Sequence, residues 1–247
     1  MSVVPSTGRT FFVADLHLTD ARPEATGRFF RFLEADASGA DALYILGDLF
    51  EAWVGDDHDE QVAHDTARRL RALVDTGTPV YFMHGNRDFM LAQRYATASG
   101  MTLLDDPTPI DLYGVPTLLT HGDTLCTDDT AYQRFRARFR RPWVLGVLRR
   151  LPLSLRHRMA RQARAGSESA KADKPVEIMD VNAAEVSRVL HAHQAERLIH
   201  GHTHRPARHQ HEVDGQLCER WVVPDWYERW GYVACDIAGC ALTVNES

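Results

Sequence analysis

Five short sequences in this chain carry side chains able to hold a cation: Asp15-Leu16-His17, Gly47-Asp48, Gly85-Asn86-Arg87-Asp88, His121-Gly122-Asp123 and Gly201-His202-Thr203-His204. Any one of them is ordinary surface chemistry, but five in succession form a ligand set. The count suits two cations, the first taking Asp15, His17, Asp48 and His204 and the second Asp48, Asn86, His121 and His202, with Asp48 bridging. Two divalent ions would outweigh the two carboxylates, so the centre stays positive, attracts a phosphate anion and lowers the pKa of bound water. Imidazole, carboxylate and amide donors without a thiolate suit Mn(II) or Fe(II), with Mn(II) the first choice.

Each ligand sequence follows a short apolar run: Thr10 to Ala14, Ala42 to Leu46, Val80 to Met83, Thr117 to Leu119 and Arg197 to Ile199. Such runs, rich in Val, Ile, Leu, Phe and Tyr and bounded by polar residues and glycine, predict buried strands. Between them, Glu24 to Ala37 and Gln61 to Asp75 have the apolar spacing of surface helices. The pattern is β-α-β-α-β, and in such sheets functional groups gather beyond the carboxyl ends of the strands. If strand conformation persists through Asp15 and His17, and through His202 and His204, each pair faces one side. Glycines next to Asp48, Asn86 and His121 let the backbone turn toward a shared centre. After His204, stretches such as Arg220 to Val223 and Gly231 to Asp236 predict antiparallel strands completing a second sheet.

The 247 residues, 44% hydrophobic and 25% charged, can bury one sizeable core. No apolar stretch approaches the ~18 residues of a membrane span, and Met1 to Arg9 lacks the features of a signal peptide, so a cytoplasmic location is expected. Cys126, Cys218, Cys235 and Cys240 show no CxxC spacing and are expected to be thiols. No Walker-type or GxGxxG phosphate loop is present, which argues against ATP hydrolysis and dinucleotide binding. The net charge of −6 conceals an asymmetry, because residues 130 to 166 hold eleven arginines and no Asp or Glu. Interleaved with them are Phe135, Phe139, Trp143, Val147, Leu148, Leu155 and other apolar residues, giving helices apolar on one side and cationic on the other. Such helices suit an anionic membrane surface or a chamber for acyl chains. Nucleic acid and a merely solvated face are the alternatives. Arginine preference explains 26 arginines against two lysines, but not the loss of every acid from 37 consecutive residues.

The motifs DLH, GD, GNRD, HGD and GHTH resemble those of the calcineurin-like metallophosphoesterase superfamily. The longer stretches LYILGDLFEAWVGDD, YFMHGNRDF, THGDTLCTDD and IHGHTHRP resemble its UDP-2,3-diacylglucosamine pyrophosphatase branch. The similarity runs from about Phe11 to Arg208 and is loosest after Gln210. The resemblance implies a four-layer α/β/β/α sandwich in one domain over 1–247, with a helical lid inserted at 128–172. It also implies a site of two Mn(II) per chain. The implied reaction is water attack on the α-phosphorus of UDP-2,3-diacylglucosamine, giving UMP and 2,3-diacylglucosamine 1-phosphate in lipid A biosynthesis. The implied setting is peripheral, on the cytoplasmic face of an inner membrane, with no nucleic acid partner; a monomer is taken as the default. Asp129, Ser167, Lys171 and Lys174 fall where that family contacts the glucosamine phosphate and uridine ends of its ligand, with Tyr132, Phe135 and Arg164 as further lid contacts.

Many members of the superfamily have His where this chain has Arg87, and that His protonates the leaving oxygen. A phosphomonoester leaves as a weak base, its second pKa being about 6, and needs no such acid. Pyrophosphate cleavage is therefore favoured, with Asn86, Arg87, His121 and His202 at the reacting phosphate. Arg87 would clamp phosphate oxygens, unless it merely pairs with Asp88. Asp123 is expected to support the histidines, His84 and His200 to take a supporting or core role rather than bind metal, and His58, His64, His191, His193, His209 and His211 to lie on the surface.

Overall fold

In the computed structural model, which describes residues 8–172, 180–227 and 229–246 and only the backbone of 166–172, two sheets pack face to face. The chain runs β1 (Thr10–Val13), α1 (Pro23–Ala35), β2 (Ala42–Leu46), α2 (Gln61–Asp75), β3 (Val80–Met83), α3 (Gln93–Ser99) and β4 (Thr102–Leu104). Then follow β5 (Thr108–Leu112), β6 (Val115–Thr120), a 3-10 turn (Asp123–Leu125) and three helices, α4 (Thr130–Phe139), α5 (Pro142–Leu148) and α6 (Leu153–Ala172). The chain closes with α7 (Ala183–His193), β7 (Arg197–His200), β8 (Ala207–Val213), β9 (Gln216–Val222), β10 (Arg229–Asp236) and β11 (Gly239–Glu246).

Period-two alternation builds the layers. Phe11 and Val13 face one way, onto Phe29, Phe32 and Leu33 of α1, while Leu43, Ile45 and Phe82 meet Leu70 and Leu73 of α2. Phe12, Leu46 and Met83 face the other way and meet Leu119, Ile199 and Trp221 of the second sheet. On that sheet's outer side Leu118 and Leu198 pack on Val186 and Leu190 of α7. Helix, sheet, sheet, helix is the expected four-layer order.

The predicted strands and the helix over 61–75 are present, but the end of the chain divides differently. The first sheet has the order β11-β10-β1-β2-β3-β4 and the second β5-β6-β7-β9-β8. Only the β8–β9 hairpin completes the second sheet, and β9 joins it parallel to β7. The β10–β11 hairpin instead crosses over and pairs antiparallel with β1. Sequence periodicity shows that a strand exists, not which edge it joins. The same register corrects the expectation of four thiols. Cys235 and Cys240 lie directly opposite in the β10–β11 hairpin and form a disulfide, whereas Cys126 and Cys218 are buried thiols.

His200, at the end of β7, is fully buried as expected and shows how the interior tolerates a histidine. Its Nδ1 donates to the Gly201 carbonyl at 2.8 Å and its Nε2 accepts from Arg220 at 3.1 Å, so the ring must be neutral. Burial, followed by the Arg220 charge, pushes its pKa down to about 3. The unfolded chain therefore binds a proton here that the folded chain refuses between about pH 6.5 and 3, and stability falls as pH drops through that window by up to about 1.4 kcal/mol per pH unit. His200→Gln, which keeps an acceptor for Arg220 and does not titrate, should flatten part of this loss. Urea midpoints of the two proteins between pH 7 and 4 measure it, and parallel curves would contradict it.

Candidate metal centre and active site

All seven expected ligands meet beyond the carboxyl ends of β1, β2, β3, β6 and β7. Strand conformation does not carry them there. Asp15 (φ 52°), His17 (φ 49°), Asp48 (φ 53°), His202 (φ 70°) and His204 (φ 55°) all adopt the left-handed region. A side chain disfavours that region by about 1 kcal/mol or more. Five of the eight non-glycine residues in that conformation among the described residues are thus expected ligands. The ligand loops also bind one another: Asp15 N donates to Gly47 O (3.1 Å), His17 N to Asp48 O (2.9 Å), Gly201 N to His121 O (3.0 Å) and Trp226 N to Asp15 O (3.1 Å). Glycine is needed here for closeness more than for turning. A Cβ on Gly85 would collide with the Asp48 carboxylate, and one on Gly47 would lie 2.5 Å from His121 Nδ1.

Two groups of lone-pair atoms result. In the first, Asp15 Oδ1 lies 3.9 Å from His17 Nε2 and 3.4 Å from His204 Nε2. In the second, Asn86 Oδ1 lies 3.2 Å from His121 Nε2 and 3.0 Å from His202 Nδ1. Asp48 Oδ2 stands between the groups, 3.8 Å from His17 Nε2 and 4.0 Å from His121 Nε2. Ligands on bonds of about 2.1 Å sit roughly 3 Å apart when adjacent and up to about 4.2 Å when opposite, and these spacings fall within that range. Asp15 Oδ1 and both ring nitrogens of His17 are buried without a hydrogen-bond partner. His121 Nδ1 lies 2.8 Å from the Leu46 carbonyl and donates to it, which turns the lone pair of Nε2 on the centre. Buried acceptors aimed at acceptors are costly unless a proton or a metal lies between them, and this donor set fits a metal.

The supporting residues differ from expectation. Asp88 does not pair with Arg87; its two oxygens accept from the Leu49 and Gly85 backbone, holding the two loops together. Arg87 points to Glu51 at 4.0 Å, and its backbone N–H donates to Asp48 Oδ1 at 2.8 Å. Asp123, fully buried, accepts from Tyr132 Oη (2.5 Å), Arg136 Nε (2.9 Å) and Arg140 Nη2 (2.9 Å), and so fastens α4 as well as supporting His121 through its charge. Asp129 caps α4 by accepting from Tyr132 N, while the Tyr132 ring lies 6.2 Å from that of His202. Phe135 packs on Phe139, and Arg164 pairs with Glu51. The side chains of Ser167 and Lys171, and Lys174 altogether, lie outside the described residues. His58 is not on the surface: it is buried between Trp53 and His157. His209 and His211 are half-buried, and His211 accepts from Arg220.

Glu51 went unread as a functional residue. It contacts His17 Nδ1 (3.5 Å), Arg22 (3.4 Å), Arg87 and Arg164, and accepts from Tyr227 Oη (2.8 Å). Its signal was its place three residues past Asp48. Asp225, 3.8 Å from His204 Nδ1, had none, because the loop after β9 lies where the resemblance is loosest.

The charges compensate one another. Burial pushes Asp48 up to about 7 against the pull of His121. Burial would lower His121, but Asp48, Asp123 and Asp15 hold it at about 9. His204 is likewise raised against burial by Asp15, and burial lowers His202 to about 3. At pH 7.5 the metal-free centre therefore holds protons that an entering cation must displace. Calorimetric titration with Mn(II) at that pH should show release of about one proton or more per chain, read as a binding heat that varies with the ionisation heat of the buffer. A heat independent of the buffer would contradict the assignment.

Residues 8–206 match the model of the calcineurin-like phosphoesterase family. A UDP-2,3-diacylglucosamine hydrolase from Enterobacter sp. (strain 638) is 49% identical over 233 residues, covering 94% of this chain and 97% of that protein. One from Klebsiella pneumoniae is 49% identical over 224 residues, 91% of this chain and 93% of that protein. A solved archaeal phosphodiesterase is a more distant likeness, with a TM-score of 0.47 and 10% identity over 96% of this chain and 99% of that one. On the family match and the near full-length identity, the chain belongs to the calcineurin-like phosphoesterases.

Proposed function

We propose that this chain hydrolyses the pyrophosphate of UDP-2,3-diacylglucosamine, water attacking the α-phosphorus to give UMP and 2,3-diacylglucosamine 1-phosphate. The bond broken joins the α-phosphorus to the bridging oxygen, and the water oxygen ends in UMP. The observation that carries this reading is that the ligand cluster and the basic insertion meet at one buried carboxylate, Asp123, which holds Tyr132, Arg136 and Arg140 over the centre. Near full-length identity to relatives named for that substrate supports it.

Asp15, His17, Asp48 and His204 would hold one Mn(II), and Asp48, Asn86, His121 and His202 the other. Bound metal supplies positive charge for phosphate oxygens and acidifies water. Arg87, with its side chain 20% exposed at the edge of the ligand cluster, would leave Glu51 to grip a phosphate oxygen and stabilise its developing charge. The leaving group is itself a phosphate, so no residue is needed to protonate it.

The insertion over 128–172 would act as a lid that receives the acyl chains. A cleft lined by Asn86, Phe89, Tyr132, Phe135, Phe139 and Arg140 runs from the centre beneath α4. At about 10 Å³ it is too narrow for an acyl chain, so α4 must move for the lipid to enter. Of the four residues that the resemblance sets at the glucosamine phosphate and uridine ends, Asp129, Ser167, Lys171 and Lys174, the last three would serve the glucosamine phosphate. On the outside Trp143 (68% exposed) and Val147 (51%) stand among arginines, which suits peripheral contact with an anionic membrane. No helix among the described residues is long and apolar enough to cross one.

Metal-stripped protein incubated in oxygen-18 water with UDP-2,3-diacylglucosamine or UDP-glucosamine tests this reading. Mn(II)-dependent UMP release from the acylated substrate alone, with the label in UMP, is expected, and Arg87→Ala should lower kcat/KM by about 10²- to 10³-fold. Equal turnover of both substrates would remove the lipid role of the insertion. Turnover of neither would remove the hydrolase reading.

A further inference from the structure

Resting on that reading, we infer that the pocket on the far side of His204 receives the nucleoside half of the substrate. Two depressions among the described residues contrast at the candidate ligand set. One is the aromatic cleft beneath α4, and the other is an open pocket of about 330 Å³ to which no residue of α4, α5 or α6 contributes. The halves of the substrate differ in the same way as the depressions. Diacylglucosamine is apolar beyond its phosphate, whereas uridine carries a ribose diol and a base rich in hydrogen-bonding atoms. With the α-phosphorus at the centre, the leaving phosphate and its lipid go toward the cleft. The nucleoside, carried on a bond that does not break, must go elsewhere.

The lining of the pocket suits that occupant. Thr203 sits between the ligands His202 and His204, and its Oγ1 is buried with no hydrogen-bond partner. Asp180 offers a carboxylate for a ribose diol and is oriented by Arg205, whose Nη1 lies 2.7 Å from Asp180 Oδ2. Arg205 and Arg229 present guanidinium donors to the base carbonyls or the 5′-phosphate, and Val222 gives the base an apolar wall. The volume falls at the lower end of what small-ligand pockets occupy, roughly 300 to 1,000 Å³.

The Mn(II)-loaded protein is titrated with inorganic phosphate, ribose 5-phosphate, UMP and 2,3-diacylglucosamine 1-phosphate. UMP should bind about tenfold or more tightly than phosphate, with ribose 5-phosphate between them. Ala207→Phe, which fills the pocket, and Arg229→Ala should each remove most of that advantage while shifting the affinities for phosphate and for the lipid phosphate less than about twofold. Misfolding of Ala207→Phe would show as lost phosphate binding, and Arg229→Ala, an exposed position at the start of β10, then decides. An advantage of UMP that survives in Arg229→Ala, or affinity for the lipid phosphate that falls in parallel, overturns the inference. Failure of the wild-type protein to release UMP from UDP-2,3-diacylglucosamine would instead overturn the parent reading, and the UMP titration is scored apart from it.

Discussion

Ligand atoms from five different strand ends must come within 3 to 4 Å of one another, yet neighbouring strands in a sheet stand about 4.8 Å apart. Straight extension of the strands cannot close that gap. The chain closes it by turning five of the seven candidate ligand residues into the left-handed region and by leaving Gly47 and Gly85 without a Cβ where Asp48 and His121 pass. Such backbone is unfavourable by itself and persists because its surroundings over-determine it. The Asp88 carboxylate, the interloop backbone bonds and the buried Trp226, packed edge-on to Phe29 and Phe32, supply that constraint. The hydrophobic core thus reaches the site through the backbone N–H of Trp226, which donates to the Asp15 carbonyl.

Charge organises the next shell outward. An acidic centre is roofed by a segment of eleven arginines without an acid, and the two are joined where Asp123 meets Arg136 and Arg140 and where Glu51 meets Arg164. Burial would raise the Asp123 pKa, but Arg140, His121 and Arg136 hold it below the usual carboxylate range. The contact therefore survives over the pH range in which the histidines titrate. Arg156, buried and bonded to Asp57 and to the Val54 carbonyl, gives α6 a second attachment that leaves the ligand residues untouched. The insertion is anchored at several points but meets the centre itself through few side chains, as the proposed lid role requires.

The ligand set was legible because its residue types recur at strand ends, and strand ends are visible as the stops of short apolar runs. Its geometry was not. Asp15 and His17 converge through two left-handed residues, which a two-residue spacing does not reveal. The β10–β11 hairpin was visible as strands but not as partners of β1, and with that register the Cys235–Cys240 disulfide was hidden as well. Glu51, Asp225 and Arg140 act through tertiary neighbours. Nothing local separates Arg140 from the ten other arginines around it, whereas the resemblance did mark Tyr132 and Arg164 as part of the lid.

On the proposed assignment, Asp48 joins two cations in one cluster. Metal-stripped protein titrated with Mn(II) and followed by electron paramagnetic resonance tests it directly. Two equivalents giving an exchange-coupled spectrum, replaced in Asp48→Asn by the signal of isolated ions, is the result predicted. Saturation at one equivalent, or two ions without coupling in the wild-type protein, would contradict it.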